Sequence, residues 1–283
     1  MFQFLMATAL AAVVNTNMVV QPATLANQLN DPTVVILDIG SAEEYAAGHI
    51  PGARLIPRNE IVVGSNYLHD ELPAVKQLAT LFTNAGIANA NRIVVYSRDP
   101  LLATRAFFTL DYLGVGDRVS LLDGGYAKWV ASGQTVTTAI ESVTPVAFKP
   151  HVNDHVLAAK NVMRLVLTGP PRVTILDARP VRQYLGYDKG EYVVNAGCIP
   201  TAESASWMMN VDDNGFLPPE QLSKTYAELG VSNSRPIIIY CRTGMEGSMT
   251  YFVLRYLGYH PKLYDGSYEQ WNRAERIVNI AKH

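Results

Sequence analysis

A single cysteine follows a run of β-branched residues in the second half of the chain. The stretch IIIYCRTGMEGS (residues 237–248) places Cys241 ahead of a glycine-containing loop and a helix expected to begin near Gly247. Ligands of open α/β sheets bind at the carboxyl ends of strands. Backbone N–H groups of a tight loop beside a helix N-terminus bind anions, and the same field lowers a cysteine pKa. The stretch therefore predicts a nucleophilic thiolate at Cys241, although a cysteine in this place can also be a packing residue.

The chain contains an internal repeat, which helps to decide between a nucleophilic and a packing role for Cys241. The offset between the copies drifts only from 139 residues (Asp38 to Asp177) to 144 residues (Ser97 to Cys241), as loop insertions would cause. The matching pairs of segments are VVILDIG (34–40) with VTILDAR (173–179), RIVVYSRD (92–99) with PIIIYCRT (236–243), LDYLGV (110–115) with LRYLGY (254–259), and LLDGGYAKW (121–129) with LYDGSYEQW (263–271).

The first copy has the strand but not the thiol. Its equivalent of Cys241 is Ser97, and Asp99 and Pro100 follow. Proline removes one N–H group and aspartate adds negative charge, so both weaken an anion-binding loop. The sequence therefore predicts one active copy and one structural copy, and a packing role for Cys241 becomes less favoured.

Each copy has the pattern of alternating strands and helices. Short apolar runs such as VVIL, RIVVY and VSLL are typical of strands buried on both faces of a parallel sheet. Helical spacing follows RIVVY, with apolar residues at intervals from Leu102 to Leu113 and Thr104, Arg105 and Asp111 between them. We expect two α/β domains over residues 18–135 and 156–283, joined by a Thr-, Ser- and Val-rich linker over 136–155.

Composition limits the partners. The chain has 283 residues, 48% of them hydrophobic and 17% charged, with a formal net charge of −2. No run of Lys or Arg stands out, so no nucleic acid or membrane surface is expected as a partner. Two cysteines are too few for a disulfide scaffold. They could pair, and Cys198 is otherwise interpreted as an inert small hydrophobic residue.

The N-terminal segment is apolar but too short to span a membrane. Residues 1–17 begin MFQFLMATALAAVV, without Lys or Arg. Three interpretations stay open: an export signal lacking the basic region, a mis-assigned start, or an ordinary N-terminal helix. The protein is expected to be exported or periplasmic in the first case and cytoplasmic otherwise.

Three motifs together resemble the tandem-domain rhodaneses, which are thiosulfate and 3-mercaptopyruvate sulfurtransferases. They are LDIGSAEEYAAGHIPGA (37–53), YCRTGMEGS (240–248) and DGSYEQW (265–271). The resemblance runs from about Val19 to Trp271. It implies two rhodanese-like domains, each a mainly parallel sheet flanked by helices, with the active loop facing the cleft between them.

The resemblance implies sulfur transfer through Cys241. The thiolate takes the outer sulfur of a donor, and a thiophilic acceptor such as cyanide, a small thiol or a thioredoxin-like protein removes it. No metal or organic cofactor is required. The implied donor-binding residues follow the cysteine, with Arg242 supplying positive charge. They are Arg242, Thr243, Gly244, Met245, Glu246 and Gly247. The CRTG sequence is more like thiosulfate enzymes than mercaptopyruvate enzymes.

Several positions depart from the family pattern. A carboxylate at Glu246 would oppose a dianionic donor, so we expect it to point outward; otherwise the donor is less anionic than thiosulfate. Gln183 stands where the family often has a substrate-binding arginine. Arg179 and Arg182 are candidates to replace it, or are an ion-pair partner and a surface charge. Cys198 stands where the first copy has His49, which we interpret as a turn-stabilising residue.

Two rival functions use the same loop. A cysteine-dependent phosphatase or arsenate reductase would need Cys-x5-Arg, and Gly247 occupies the arginine position. A non-catalytic sulfur carrier would keep a reactive Cys241 but take sulfur only from a protein partner. Away from the thiol, Asp177 and Asp265 are expected to cap turns or pair with arginines. The equivalent residues Trp129 and Trp271 are expected to pack in the cores.

Overall fold

The computed structural model describes residues 13–65, 68–140, 142–168 and 173–274, and each half of the chain builds one parallel sheet. In the first half the strand order is β1-β5-β4-β2-β3. Its elements are β1 (Val19–Val20), α1 (Pro22–Ala26), β2 (Val34–Gly40), α2 (Ala42–Ala47), β3 (Ala53–Pro57), α3 (Arg58–Ile61), α4 (Val75–Asn84), β4 (Arg92–Ser97), α5 (Pro100–Tyr112), β5 (Val119–Leu122) and α6 (Gly125–Ala131).

The second half repeats the order of four of these strands, β5-β4-β2-β3, with shorter strands. Its sheet runs β11-β10-β6-β7, and a small antiparallel hairpin, β8 with β9, is added between β7 and α9. The elements are α7 (Lys160–Thr168), β6 (Thr174–Asp177), α8 (Val181–Tyr184), β7 (Glu203–Ser204), β8 (Val211–Asp212), β9 (Gly215–Phe216), α9 (Pro219–Glu228), β10 (Ile237–Tyr240), α10 (Met245–Tyr256), β11 (Pro261–Leu263) and α11 (Ser267–Ala274).

The apolar runs form central strands because both of their faces are covered. In β10, Ile237 and Ile239 belong to one hydrophobic cluster, while Ile238 and Tyr240 belong to a second cluster on the other face. A continuous rather than alternating apolar pattern is what such a strand requires. The two-domain α/β fold expected from the sequence is confirmed.

The duplication extends to individual hydrogen bonds. In the first copy, Tyr96 donates to Asp38 (2.8 Å) and accepts from the Ile50 N–H. In the second copy, Tyr240 donates to Asp177 (2.6 Å) and accepts from the Ile199 N–H. In each copy, these two hydrogen bonds connect the two central strands to the loop before the edge strand. Asp177 also accepts from the Arg179 side chain at 2.6 Å, which is the arginine pairing expected of it.

Two helices join the halves through one continuous hydrophobic cluster. Phe107 of α5 meets Phe252 of α10 edge to face, with ring centroids 4.9 Å apart. Beside them, the Tyr251 hydroxyl donates to Asp111 at 2.6 Å. Because α5 lies between its own sheet and α10, its polar positions Thr104, Arg105 and Asp111 are buried as well. The positions between the apolar residues of this helix therefore do not face solvent.

The expected linker packs against the first half. Thr137 pairs with His49 in a short antiparallel bridge, and Phe148 is buried beside Phe82. His49 bonds the Tyr45 carbonyl (2.8 Å), consistent with a turn-stabilising role. The boundaries at residues 18–135, 136–155 and 156–283 stay predictions.

The N-terminal interpretations concern mostly residues 1–12, which lie outside the described ranges. Next along the chain, Thr16–Met18 form a 3-10 helix, and the Asn15 N–H donates to the Tyr256 carbonyl at the end of α10. Among the described residues, no helix is long and apolar enough to cross a membrane.

Candidate active site

Cys241 directly follows β10, and α10 begins at Met245, two residues earlier than expected. Between them the chain turns at Gly244, whose φ of 103° favours glycine. A Cβ atom there would lie 2.7 Å from an Asp265 carboxylate oxygen and 3.0 Å from the Asp265 carbonyl oxygen. Glycine therefore lets the loop close tightly against the turn before α11, and the tight turn aims its N–H groups at Sγ.

The Cys241 sulfur lies inside the loop. The Gly244 N–H donates to Sγ at 3.0 Å, and the Ser267 hydroxyl lies 3.8 Å away. The N–H groups of Thr243 and Gly247 also act to lower the pKa of this thiol. The backbone of Cys241 is fixed by the side chain of Ser267 and by the Tyr268 N–H. The loop thus has the inward-pointing donors expected of an anion site.

The pKa of this thiol nevertheless shifts in the direction opposite to expectation. Complete burial and then the negative charge of Glu246 raise the pKa of Cys241 to about 12, against the opposing effect of the loop N–H groups. The prediction of a lowered pKa was wrong for this conformation. The sequence showed the donors but not the depth of the sulfur or the direction of the carboxylate.

Glu246 points inward rather than outward. Its side chain is buried, and one carboxylate oxygen accepts weakly from the Arg242 N–H at 3.4 Å. Burial raises the pKa of Glu246, while the cations Arg242 and Arg179 act against that shift. The outward orientation expected from the sequence was therefore wrong, because the first turn of α10 is enclosed on all sides.

The two candidate arginines of the second half differ in environment. Arg179 is fully buried, with Nη2 2.6 Å from an Asp177 oxygen and 2.7 Å from the Gly197 carbonyl. Its guanidinium also lies over the Tyr268 ring, 4.0 Å from the centroid. Arg182 is exposed on α8, and no hydrogen bond or ion pair joins its side chain to another described residue. A donor-binding role for Arg182 stays a prediction.

Comparison with the first copy explains why the Arg242 guanidinium has no ion-pair partner among the described residues. There, Arg98 lies 3.9 Å from the Tyr126 ring centroid, donates to the Gly48 carbonyl and faces Asp38 at 3.7 Å. Arg98 is the equivalent of Arg242, yet its contacts are those that Arg179 makes in the second copy. Arg179 has therefore taken over the structural role.

As a result, Arg242 keeps its charge available beside Cys241. Its Nε is buried without a hydrogen-bond partner, and no hydrogen bond or ion pair engages its guanidinium among the described residues. An unpaired cation next to an inward-facing thiol is an anion-binding feature. The geometry supports the substrate-binding role expected for Arg242.

The first half also contributes side chains to the loop, and sequence analysis did not identify them. The Thr243 hydroxyl donates to Asp70 at 2.9 Å, so this side chain holds the domains together. Arg105 bonds both Asp265 (2.5 Å) and the Asp70 carbonyl (2.6 Å). His69 contacts Glu269 at 2.8 Å. The available signal was Arg105, a cation within a helical segment of mainly apolar residues.

The remaining expectations concern Asp265, the two tryptophans and the two cysteines. Asp265 pairs with an arginine, as expected, and Trp129 and Trp271 are buried in the cores. Cys198 and Cys241 are both free, so the disulfide considered from the sequence is not formed. In the described ranges, no group of three or more His, Cys, Asp or Glu side chains is placed to hold a metal ion.

Replacing Ser97 with alanine is expected to leave kcat nearly unchanged. The Ser97 hydroxyl donates to the Ile39 carbonyl (2.6 Å) and accepts from the Asp99 N–H (3.1 Å), so it holds a turn. Its loss should lower the free energy of unfolding by about 1–2 kcal/mol. Steady-state kinetics and urea unfolding of the variant test both statements, and a large loss of kcat would show that the first copy takes part in the chemistry.

Comparison with known proteins agrees with the repeat. The rhodanese-like domain matches the chain twice, over residues 21–132 and 159–274. A probable 3-mercaptopyruvate sulfurtransferase of Pseudomonas aeruginosa is 33% identical, with 87% of this chain and 92% of that protein covered. A sulfur carrier protein, TtuD, of Thermus thermophilus is 31% identical over 90% and 93%.

Two further proteins are similar to this chain over nearly their whole length. A thiosulfate sulfurtransferase of Azotobacter vinelandii is 30% identical, with 93% of this chain and 97% of that protein covered. The crystal structure of SseA from Escherichia coli, a 3-mercaptopyruvate sulfurtransferase, superposes with a TM-score of 0.80 at 26% identity, covering 89% of this chain and 98% of that one. The chain therefore belongs to the rhodanese family and carries two rhodanese-like domains in tandem.

Proposed function

We propose that this protein is a sulfurtransferase that carries sulfane sulfur as a persulfide on Cys241. The observation that carries the proposal is the position of Sγ at the centre of a loop whose N–H groups point inward, with the Gly244 nitrogen 3.0 Å away. Such donors stabilise the negative charge of a thiolate and of a terminal persulfide sulfur. The names of the relatives, sulfurtransferases and a sulfur carrier, support the same chemistry.

The reaction has two displacement steps. The Cys241 thiolate attacks the outer sulfur of the donor, the bond to that sulfur breaks, and the remainder of the donor leaves with the electron pair. A thiophilic acceptor, either cyanide or a thiol of a small molecule or protein, then takes the outer sulfur. Arg242 attracts the anionic donor, because its guanidinium is unpaired beside the thiol. The chemistry needs no metal or organic cofactor.

Thiosulfate is the proposed donor, and the sequence CRTG after β10 supports it. The second candidate, 3-mercaptopyruvate, is favoured by the buried Glu246. An ionised carboxylate at that place opposes a dianion more than it opposes a donor with one carboxylate and a neutral thiol. A carrier function, in which only a protein persulfide loads Cys241, is the third outcome that the experiment separates.

Intact-protein mass spectrometry after incubation with thiosulfate tests the proposal. The wild type is expected to gain about 32 Da, one sulfur atom on an activated cysteine, and Cys241→Ser is expected to gain nothing. Loading by 3-mercaptopyruvate but not by thiosulfate would reassign the donor. Loading only by a persulfidated protein would favour the carrier. No loading of the reduced wild type by any of the three would refute persulfide chemistry at Cys241.

A further inference from the structure

One buried amide in the second half of the chain has no hydrogen bond. Gln183 of α8 is only 7% exposed, and its Oε1 atom is buried without a partner. No hydrogen bond joins either amide atom to another described residue. A buried acceptor in this state destabilises the fold, and native proteins keep few of them. The amide therefore indicates an interaction with a group outside the chain.

This amide lies beside Arg242, the residue that follows the reactive cysteine. Gly190 shows how close the two side chains are, because a Cβ atom built on it would lie 3.1 Å from both Gln183 amide atoms and 3.2 Å from Arg242 Cδ. The Nε atom of Arg242 is also buried without a partner. An acceptor and a donor that lie this close and do not bond each other remain available for a third group.

The fold places both side chains at the edge of the sheet that carries the thiol. β6 and β10 are neighbouring parallel strands, with Asp177 opposite Tyr240. Helix α8, which contains Gln183, comes shortly after the end of β6, and Cys241 directly follows β10. Both therefore lie at the carboxyl ends of strands, where ligands of such sheets bind.

The available atoms define what a ligand must carry. Gln183 Oε1 accepts a hydrogen bond and therefore requires an N–H or O–H group, whereas the Arg242 guanidinium requires an anion. The nearby charge is mixed, since Glu246 accepts from the Arg242 N–H at 3.4 Å. Thiosulfate, 3-mercaptopyruvate and cyanide offer no N–H group to the amide. An amino-acid thiol carries an ammonium group and a carboxylate on one carbon atom and matches both requirements.

We propose that Gln183 is a specificity-determining residue of this site, selecting an amino-acid thiol as the sulfur acceptor. The proposal rests on the persulfide function above. The ammonium group of the acceptor donates to Gln183 Oε1, and its carboxylate bonds Arg242. The acceptor thiol loses its proton to solvent, and the thiolate forms a bond to the outer sulfur of the Cys241 persulfide. The bond between that sulfur and Sγ breaks, Sγ keeps the electron pair, and the amino-acid persulfide leaves.

Three acceptors separate the two contacts. Cysteine carries both groups, 3-mercaptopropionate lacks the ammonium group, and cysteamine lacks the carboxylate. The protein is first loaded with the donor that forms the persulfide, and loss of the added sulfur is followed by intact-protein mass spectrometry. Rate constants are expressed per thiolate, because the three thiols ionise differently. The wild type is expected to transfer sulfur to cysteine about tenfold faster than to 3-mercaptopropionate, the effect of one hydrogen bond to a charged group.

Gln183→Met removes the acceptor oxygen and keeps a similar volume. It is expected to slow transfer to cysteine and cysteamine about tenfold and to change transfer to 3-mercaptopropionate less than about twofold. Gln183→Glu, which keeps an oxygen at this place, should preserve the preference for cysteine over 3-mercaptopropionate. Gln221→Met, on the exposed first turn of α9, is the matched control and should behave as the wild type.

The preference among acceptors separates recognition from a structural role. A variant whose loop is merely misplaced would slow all three acceptors equally. Equal slowing by Gln183→Met, an unchanged preference in that variant, or a wild type that does not distinguish cysteine from 3-mercaptopropionate would overturn the proposal. Failure of the wild type to form a persulfide with any donor would instead refute the proposed function, so the two failures are distinguishable.

Discussion

Replacing Arg105 with methionine is expected to lower the free energy of unfolding by about 3–5 kcal/mol, the usual effect of removing one partner from a buried ion pair. Arg105 is fully buried in α5 and bonds Asp265 at 2.5 Å. In the variant, the Asp265 carboxylate, only 15% exposed, would keep the Leu72 N–H but lose its counter-charge. Methionine fills much of the volume, so the loss reports the stranded charge and the lost hydrogen bonds rather than a large cavity.

The same substitution is expected to slow sulfur transfer in the protein that remains folded. A Cβ atom on Gly244 would lie 3.2 Å from Arg105 Nη1, which shows how closely the guanidinium supports the loop. Arg105 also holds the Asp70 carbonyl, and Asp70 in turn accepts from Thr243. Without these contacts, the N–H groups around Sγ lose part of their fixed orientation, and preorganised donors are what stabilise the developing charge.

Urea unfolding and steady-state kinetics of Arg105→Met measure both effects. Arg92→Met is the matched control, because its pair with Asp31 spans 3.6 Å and both side chains are well exposed. An exposed pair contributes at most about 1 kcal/mol. If Arg105→Met is no less stable than Arg92→Met, the interdomain ion pair does not stabilise the fold. Asp265→Asn combined with Arg105→Met should recover part of the loss, because no uncompensated charge then remains.

The sequence contained most of the fold because its repeats carry the same local signals twice. The runs RIVVY and IIIY became β4 and β10, and each is buried on both faces, as their unbroken apolar character indicated. The position of Cys241 at a strand end followed from the same pattern, and so did the loop of N–H donors. These features depend on local sequence and on the parallel topology, which periodicity reveals.

The orientation and burial of charged side chains did not follow from local sequence. Glu246, expected to point outward, is buried beside Arg242 of its own domain, and Arg105 is buried where it bonds Asp265 of the other domain. Arg242 shows a third case, since its freedom depends on Arg179, which is distant in sequence, pairing with Asp177. Contacts between elements far apart in the chain decided the last two cases, and a single sequence does not record them.

Replacing Arg179 with methionine is the second variant expected to cost about 3–5 kcal/mol of unfolding free energy. Arg179 and Asp177 are both fully buried, and the pair is bidentate, with contacts of 2.9 Å at Nε and 2.6 Å at Nη2. The variant would leave Asp177 with the Tyr240 hydroxyl and the N–H of residue 179 but no cation. Urea unfolding measures the loss. The double variant Arg179→Met with Asp177→Asn should regain more than half of it, and equal instability of the single and double variants would contradict a stranded charge as the cause.

Loss of Arg179 should also change the pH dependence of sulfur transfer, through its effect on Glu246. Arg179 lowers the pKa of Glu246, so removing its positive charge favours the protonated carboxyl and raises that pKa further. Any limb of the kcat/KM profile that reports the ionisation of Glu246 is therefore expected to move to higher pH in the folded Arg179→Met protein. In the first copy Arg98 makes the equivalent contacts with Asp38 and Tyr126 without serving a thiol. Arg98→Met should therefore lower stability and leave that limb in place, because the first copy has neither a thiol nor an equivalent buried carboxyl group beside its ion pair.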